Sequence, residues 1–399
     1  MSRAKLMLVV ASAMEARSLL PVYAQVQQDY PQWHVDVFSV GKVGVATAEA
    51  ALQARGVTFR VLGRDTAPSM AQAVQGYDLV LVGNDVMVPN IWLLEACAAQ
   101  GIPSVLLQEG ATSSSAQSLV RYGIGELWRK LQHVRHQVPL YLHNRQGKVL
   151  WQRALATLSN QPVQMRGYGF SQRDYFLVAS EAVAADYRAQ AAPECIAVTG
   201  IPNYIPSPPP SLPPLAERSK IVILSAPYDT LGWWSAAEQQ AFFQHIVSAI
   251  YQQQPQAQVV LKIHPQSETL AKYQALQQHF PQLELCQHHP GGLSGLLAQS
   301  QLAITVFSTA ALEALAHGVP VLFTLWPSFL THSANTLLRQ APDLGFACYH
   351  QADMAKTIRQ ACQDRQAVEE KLAFFREDYR YCLDGLAAVR ISRYLGSLL

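Results

Sequence analysis

No two cysteines of this chain stand at metal-binding or redox spacing. Cys97, Cys195, Cys286, Cys348, Cys362 and Cys382 are scattered through 399 residues. That excludes a CxxC zinc site and a disulfide framework, and it reads as buried thiols in a reducing compartment. No apolar run approaches the ~20 residues that a membrane-spanning helix needs. Leu6 to Met14, behind Arg3 and Lys5, resembles a short leader in texture. Glu15 and Arg17 end it early and no cleavage site follows, so Leu6–Val10 is expected to be a buried strand. Charge is scarce as well: 15% of residues are charged and the net charge is +2, which gives no basic field for nucleic acid. Repeats at solenoid periods are absent. His133 and His136 lack a third ligand, and His288-His289 reads as an exposed loop, so no metal site is expected.

What the chain has is apolar residues, half of the total, and enough length for two domains of roughly 200 residues. In the first half, short Val-, Leu- and Ile-rich runs predict strands at Leu6–Val10, Val35–Ser39, Phe59–Leu62, Leu79–Val82, Ser104–Leu107, Tyr175–Val178 and Ile196–Val198. Helical stretches such as Ala11–Gln28, Val45–Arg55 and Asn90–Gln100 lie between them. Such alternation predicts a parallel sheet covered by helices on both faces. The run from Gly200 to Pro214 is too rich in proline for helix or inner strand and is expected to be an extended connector. After it the pattern restarts, with strands at Ile221–Leu224, Val259–Ile263, Leu302–Val306 and Val319–Phe323 and helices at Ser235–Gln253, Ala310 to His317 and Gln351–Arg359. The expected organisation is therefore a Rossmann-like domain over 1–200, a linker over 201–219, a second Rossmann-like domain over 220–385 and a final helix over 386–399.

Ligands of open α/β sheets collect at the carboxyl ends of the strands. Lys262-Ile263-His264-Pro265 stands at such an end. Proline stops the strand, and His264 is placed to meet a phosphate oxygen, with Lys262 on the same side two residues earlier. Ser308 and Thr309 follow the next long strand at the start of a helix, where free N–H groups and two hydroxyls suit an anion. Glu313, one turn in, is a candidate for ribose hydroxyls. In the first half, Gln108-Glu109-Gly110 follows Ser104–Leu107 and offers Glu109 as a general base. Weaker candidates are Lys42 in a glycine-containing turn that completes no phosphate-loop spacing, Asp85 after Leu79–Val82, and Ser225 after Ile221–Leu224.

The order His264-Pro265, then Ser308-Thr309, Glu313 and Gly318-Val319-Pro320, resembles the GT-B superfamily. The texture is that of bacterial surface-polysaccharide transferases of the sialyl-, Kdo- and CDP-glycerol types. The tail from Tyr381 to Ile391, with Asp384-Gly385, is similar to the final helix of the last group. Gly83-Asn84-Asp85, Gln108-Glu109-Gly110 and Val198-Thr199-Gly200-Ile201-Pro202 are similar in order to the non-hydrolysing UDP-GlcNAc 2-epimerases. That group's Gly-Thr-Arg-Pro-Glu run is missing, however, and Ala11-Ser12-Ala13-Met14-Glu15 stands there instead. Its glycine and glutamate doublets near Ser308 are missing too. In the sialyltransferases an acidic pair precedes the glycine, whereas here Gln108 holds the first place.

The resemblance implies two Rossmann-like domains with parallel sheets facing a cleft. It implies a metal-independent glycosyltransferase without cofactor, located in the cytoplasm, with room for peripheral association at the inner membrane surface. The C-terminal domain would hold a nucleotide-sugar donor through Lys262, His264, Pro265, Ser308, Thr309 and Glu313. The N-terminal domain would hold a glycan or lipid-linked acceptor, with Glu109 as base, and the final helix would return to the first domain. The alternatives are an epimerase or hydrolase of nucleotide sugars and a non-catalytic partner of the same fold.

Overall fold

Leu79–Val82 and Ser104–Leu107 are buried along their whole length, as strands enclosed by helices on both faces must be. In the computed structural model these and their neighbours form parallel sheets. The structure describes residues 4–40, 45–62, 67–84, 88–108, 151, 174–188, 195–205, 211–229, 234–264, 268–327, 330 and 336–399. The chain divides into two units, one of residues 1–204 with 378–399, the other of 205–377.

The first unit holds β1 (Lys5–Val10), β2 (His34–Ser39), β3 (Arg60–Val61), β4 (Leu79–Val82), β5 (Ser104–Leu107), β6 (Tyr175–Val178) and β7 (Ile196–Val198). Their order is β3-β2-β1-β4-β5-β6-β7, every pairing parallel. The direction of winding reverses between β1 and β4. At that point Glu15 is buried and accepts from the Ala11 N–H at 2.6 Å and from the Asn84 amide. A side chain at Gly83 would meet the Glu15 Cγ at 2.5 Å, so this carboxylate holds strand ends together.

The second unit holds β8 (Lys220–Leu224), β9 (Gln258–Lys262), β10 (Glu284–Cys286), β11 (Ser300–Thr305), β12 (Val321–Thr324) and β13 (Phe346–Cys348). Their order is β10-β9-β8-β11-β12-β13, again all parallel. The three-residue edge strands β10 and β13 are additions to the sequence expectation. The helix Ala236–Gln253 begins on a capping box: the Ser235 hydroxyl accepts from the Glu238 N–H, and the Glu238 carboxylate accepts from the Ser235 N–H.

The units change over at residue 205 rather than 201, and the return to the first unit begins at Asp378, ahead of the expected 386. Directly after the proline-rich run, Leu215–Glu217 forms a 3-10 turn. Arg218 behind it donates to the carbonyls of Pro213 at 3.0 Å and His317 at 2.9 Å. The tail is tied down by Arg390, whose guanidinium grips the Asp384 carboxylate through two nitrogens at 2.7 and 2.9 Å and donates to the Thr199 carbonyl at 2.7 Å. Those bonds hold the Asp384 carboxyl below the usual carboxylate range. The helix Ala387–Ser397 packs on the helix Ala13–Asp29, with Ser392 donating to Asp29 at 2.7 Å. No described helix is long and apolar enough to cross a membrane.

Candidate functional site

Because β8 to β11 run parallel, their carboxyl ends open on one edge, and the winding reverses between β8 and β11. A cavity of about 290 Å³ lies there, at the place where such sheets take ligands. Leu224 and Ser225 reach it from β8, Lys262, Ile263 and His264 from β9, and Ser308 and Ala310 from β11. The loop after β10 supplies Gln287, His288 and His289, with Gly292 and Leu293 behind them. No carboxylate is among the described residues that line the cavity.

Lys262 donates to the Ile263 and Gln287 carbonyls, each at 2.9 Å. Two of its three N–H groups are thus used to hold the loops after β9 and β10. Burial depresses its pKa, and Coulomb interaction with Cys286 opposes the shift. His264 is half-buried, and its backbone N–H donates to the Ser225 hydroxyl at 3.1 Å. Its ring Nδ1 is buried without a hydrogen-bond partner among the described residues. Burial lowers its pKa most, Glu268 raises it and Lys262 lowers it, so the net shift is downward from the ordinary histidine value.

Ser308 accepts from the Ala310 N–H at 3.3 Å and so caps the turn into the helix Ala310–Ala316. Thr309 occupies the capping position but makes no side-chain cap bond and is exposed, which corrects its expected role as a second capping hydroxyl. Neither Thr309 nor Glu313 lines the cavity. Gln108 sits in the first unit as a buried brace: its Oε1 accepts from the Ala179 N–H at 2.9 Å and its amide donates to the Tyr204 hydroxyl at 3.3 Å. Lys42, Asp85, Glu109, Gly110 and Pro265 lie outside the described residues.

The loop after β10 was legible only as an exposed histidine pair. His288 is indeed exposed, yet both histidines border the cavity, because the short strand β10 delivers them to the same edge as His264. Glu268, four residues past His264, also escaped notice.

His317, fully buried, holds the helix Gly292–Leu297, whose first two residues line the cavity. Its Nδ1 faces the Glu313 carbonyl at 2.8 Å and so carries the proton, which leaves Nε2 to accept from Ser294 at 2.6 Å. Burial lowers its pKa, with the Glu313 bond opposing. The unfolded chain, near 6.5, therefore takes up a proton first on acidification. Stability from the neutral ring is complete above about pH 6.5 and is lost as pH falls through the folded value. Thermal unfolding is expected at a lower midpoint at pH 5 than at pH 7. His317→Gln should lower the pH 7 midpoint and narrow that difference.

A family model described as capsule polysaccharide biosynthesis protein matches residues 233–331, a stretch that includes His264 and Ser308. No curated protein sequence matches the chain. Among solved structures, S. aureus MnaA with UDP superposes with a TM-score of 0.62 at 13% identity, over 99% of this chain and 98% of that one. The UDP-GlcNAc 2-epimerase of Neisseria meningitidis bound to UDP-GlcNAc gives 0.58 at 13% identity, over 98% and 100%. The wall teichoic acid polymerase TagF soaked with CDPG gives 0.53 at 12% identity, over 99% and 88%. With its two all-parallel α/β sheets and these likenesses, the chain has the GT-B fold.

Proposed function

We propose that the chain is a metal-independent glycosyltransferase of surface-polysaccharide synthesis, taking a sugar from a nucleotide-activated donor to a glycan or lipid-linked acceptor. One observation carries this reading: the cavity at the reversal point of the second sheet gathers Lys262, His264, Ser225 and Ser308, with no carboxylate among the described residues that line it. Such a lining complements a diphosphate, and a fixed cation with prearranged donors stabilises the charge that grows on a leaving phosphate. The capsule-biosynthesis match, which spans Lys262, His264 and Ser308, supports it. So do the nucleotide ligands of the structural neighbours, UDP, UDP-GlcNAc and CDPG. Among the described residues, Lys262 spends two of its three N–H groups on carbonyls, and we assign the third to the phosphate. Thr309 and Glu313 are assigned to the nucleotide's far side, and Glu109 to the acceptor hydroxyl as base.

The test is a thermal-shift panel of CMP, CDP, UDP and GDP in EDTA. A ligand that binds only the folded state raises the midpoint, by about 2.7 kcal/mol of stabilisation at a hundredfold excess over Kd. At least one nucleotide is expected to do so without added metal. A flat panel would overturn the donor reading, and a shift that appears only with Mg²⁺ would overturn the metal-free one. Incubation of a nucleotide sugar should then release nucleotide only when acceptor is present; sugar interconversion without acceptor would make the protein an epimerase.

A further inference from the structure

Glu268 is not among the lining residues, yet five donors converge on its carboxylate, two of them from Ser225 and His264, which do line the cavity. It is 5% exposed. One carboxylate oxygen accepts from the Tyr273 hydroxyl at 2.5 Å, the Lys272 ammonium at 2.7 Å and the Gln239 amide at 3.1 Å. The other accepts from the Ser225 hydroxyl at 2.5 Å and lies 3.4 Å from the His264 N–H. Burial pushes the carboxyl up, but the bonds from Lys272, Ser225 and Tyr273 outweigh it and hold the group below its ordinary value. It is therefore an ionised carboxylate buried beneath a site read as anion-binding.

A negative charge there works against an anionic ligand, and an apolar side chain would fill the space without desolvating a charge. The Lys272 ammonium at 2.7 Å compensates that charge, and the contribution to the cavity lies in geometry. A serine hydroxyl rotates freely unless its proton is engaged. Here the Ser225 proton goes to Glu268, which turns an oxygen lone pair toward the His264 N–H at 3.1 Å. The chain thereby joins the loop after β8 to the loop after β9, the two loops that bring Ser225 and His264 to the cavity.

We propose that Glu268 is a positioning residue for the nucleotide site, acting through the Ser225 hydroxyl on the backbone of His264. The proposal rests on the nucleotide reading above for its ligand, but not for its geometry. Two measurements separate them. The first is a double-mutant cycle of Glu268→Gln and Ser225→Ala, titrated with whichever of CMP, CDP, UDP and GDP binds the wild type. Each single change should weaken Kd about tenfold, the loss of one charge-assisted bond. The double variant should lose no more than about the larger single loss, because both changes break one chain. Independent losses that multiply to about a hundredfold, or an unchanged Kd in Glu268→Gln, would overturn it.

The second measurement needs no ligand: the imidazole resonances of His264 by NMR. Glu268→Gln and Ser225→Ala should displace them in common, and unmoved resonances in both would overturn the proposal even if the panel is flat. If Glu268→Gln does not fold, Ser225→Ala alone decides by the same resonances. That variant leaves Tyr273, Lys272 and Gln239 on the carboxylate.

Discussion

His264→Ala is expected to abolish sugar transfer while leaving the protein folded. A contact that acts on the departing phosphate or transfers a proton there contributes roughly a hundred- to ten-thousand-fold to the rate, so kcat/KM should fall by that range. The fold should survive for a reason visible in the hydrogen bonds. The link from residue 264 to Ser225 and Glu268 runs through the backbone N–H, which alanine keeps. The ring Nδ1 has no partner among the described residues to be orphaned by its removal. A normal unfolding midpoint with lost transfer is the expected pair of results. Wild-type turnover would remove His264 from the site, and an unfolded protein would make the residue structural.

Gly200→Ala should have the opposite signature, a broad loss of stability from a position outside the cavity. Gly200 has φ +68°, a conformation that costs an L-residue roughly 1–2 kcal/mol. A Cβ there would also lie 2.0 Å from the Tyr381 carbonyl oxygen, and forced overpacking costs roughly a further 1–3 kcal/mol. The backbone on which the tail rests would have to move, together with the Arg390 bond to the Thr199 carbonyl and the Cys382 thiol that accepts from the Ile201 N–H. We expect a loss of several kcal/mol in chemical denaturation and early proteolysis of the C-terminal helix. A variant as stable as wild type would show that the tail is not held by this contact. Thr199, Gly200 and Ile201 of the Val198-Thr199-Gly200-Ile201-Pro202 motif thus serve to pack the tail.

Much of the fold was legible in the residues themselves. β4 and β5 were read to the residue, because a strand enclosed on both faces is a continuous apolar run with turn residues on either side. Strands β10 (Glu-Leu-Cys) and β13 (Phe-Ala-Cys) were not, since neither holds a β-branched residue, whereas the equally short edge strand β7 (Ile-Ala-Val) holds two. That omission hid part of the site: without β10 there was no reason to bring His288 and His289 to the edge occupied by His264. The histidine at the end of β9 and the serine ahead of the helix Ala310–Ala316 could be found because a proline and a strong helix former mark those places in any sequence. Glu268 could not. An acid four residues beyond a histidine is ordinary, and only the folded chain shows five donors converging on it.

The sequence by itself therefore determined that parallel sheets form, where the long strands end, and which residues stand at those ends, because period and punctuation are local properties of the chain. Only the tertiary structure decided which of those ends share a cavity. It placed Lys262, His264, Ser225 and Ser308 around one space, left Thr309 and Glu313 outside its lining, and sent the tail from Asp378 back to the first unit. Strand order and side-chain burial arise from contacts between residues up to 363 positions apart, and no local pattern encodes them.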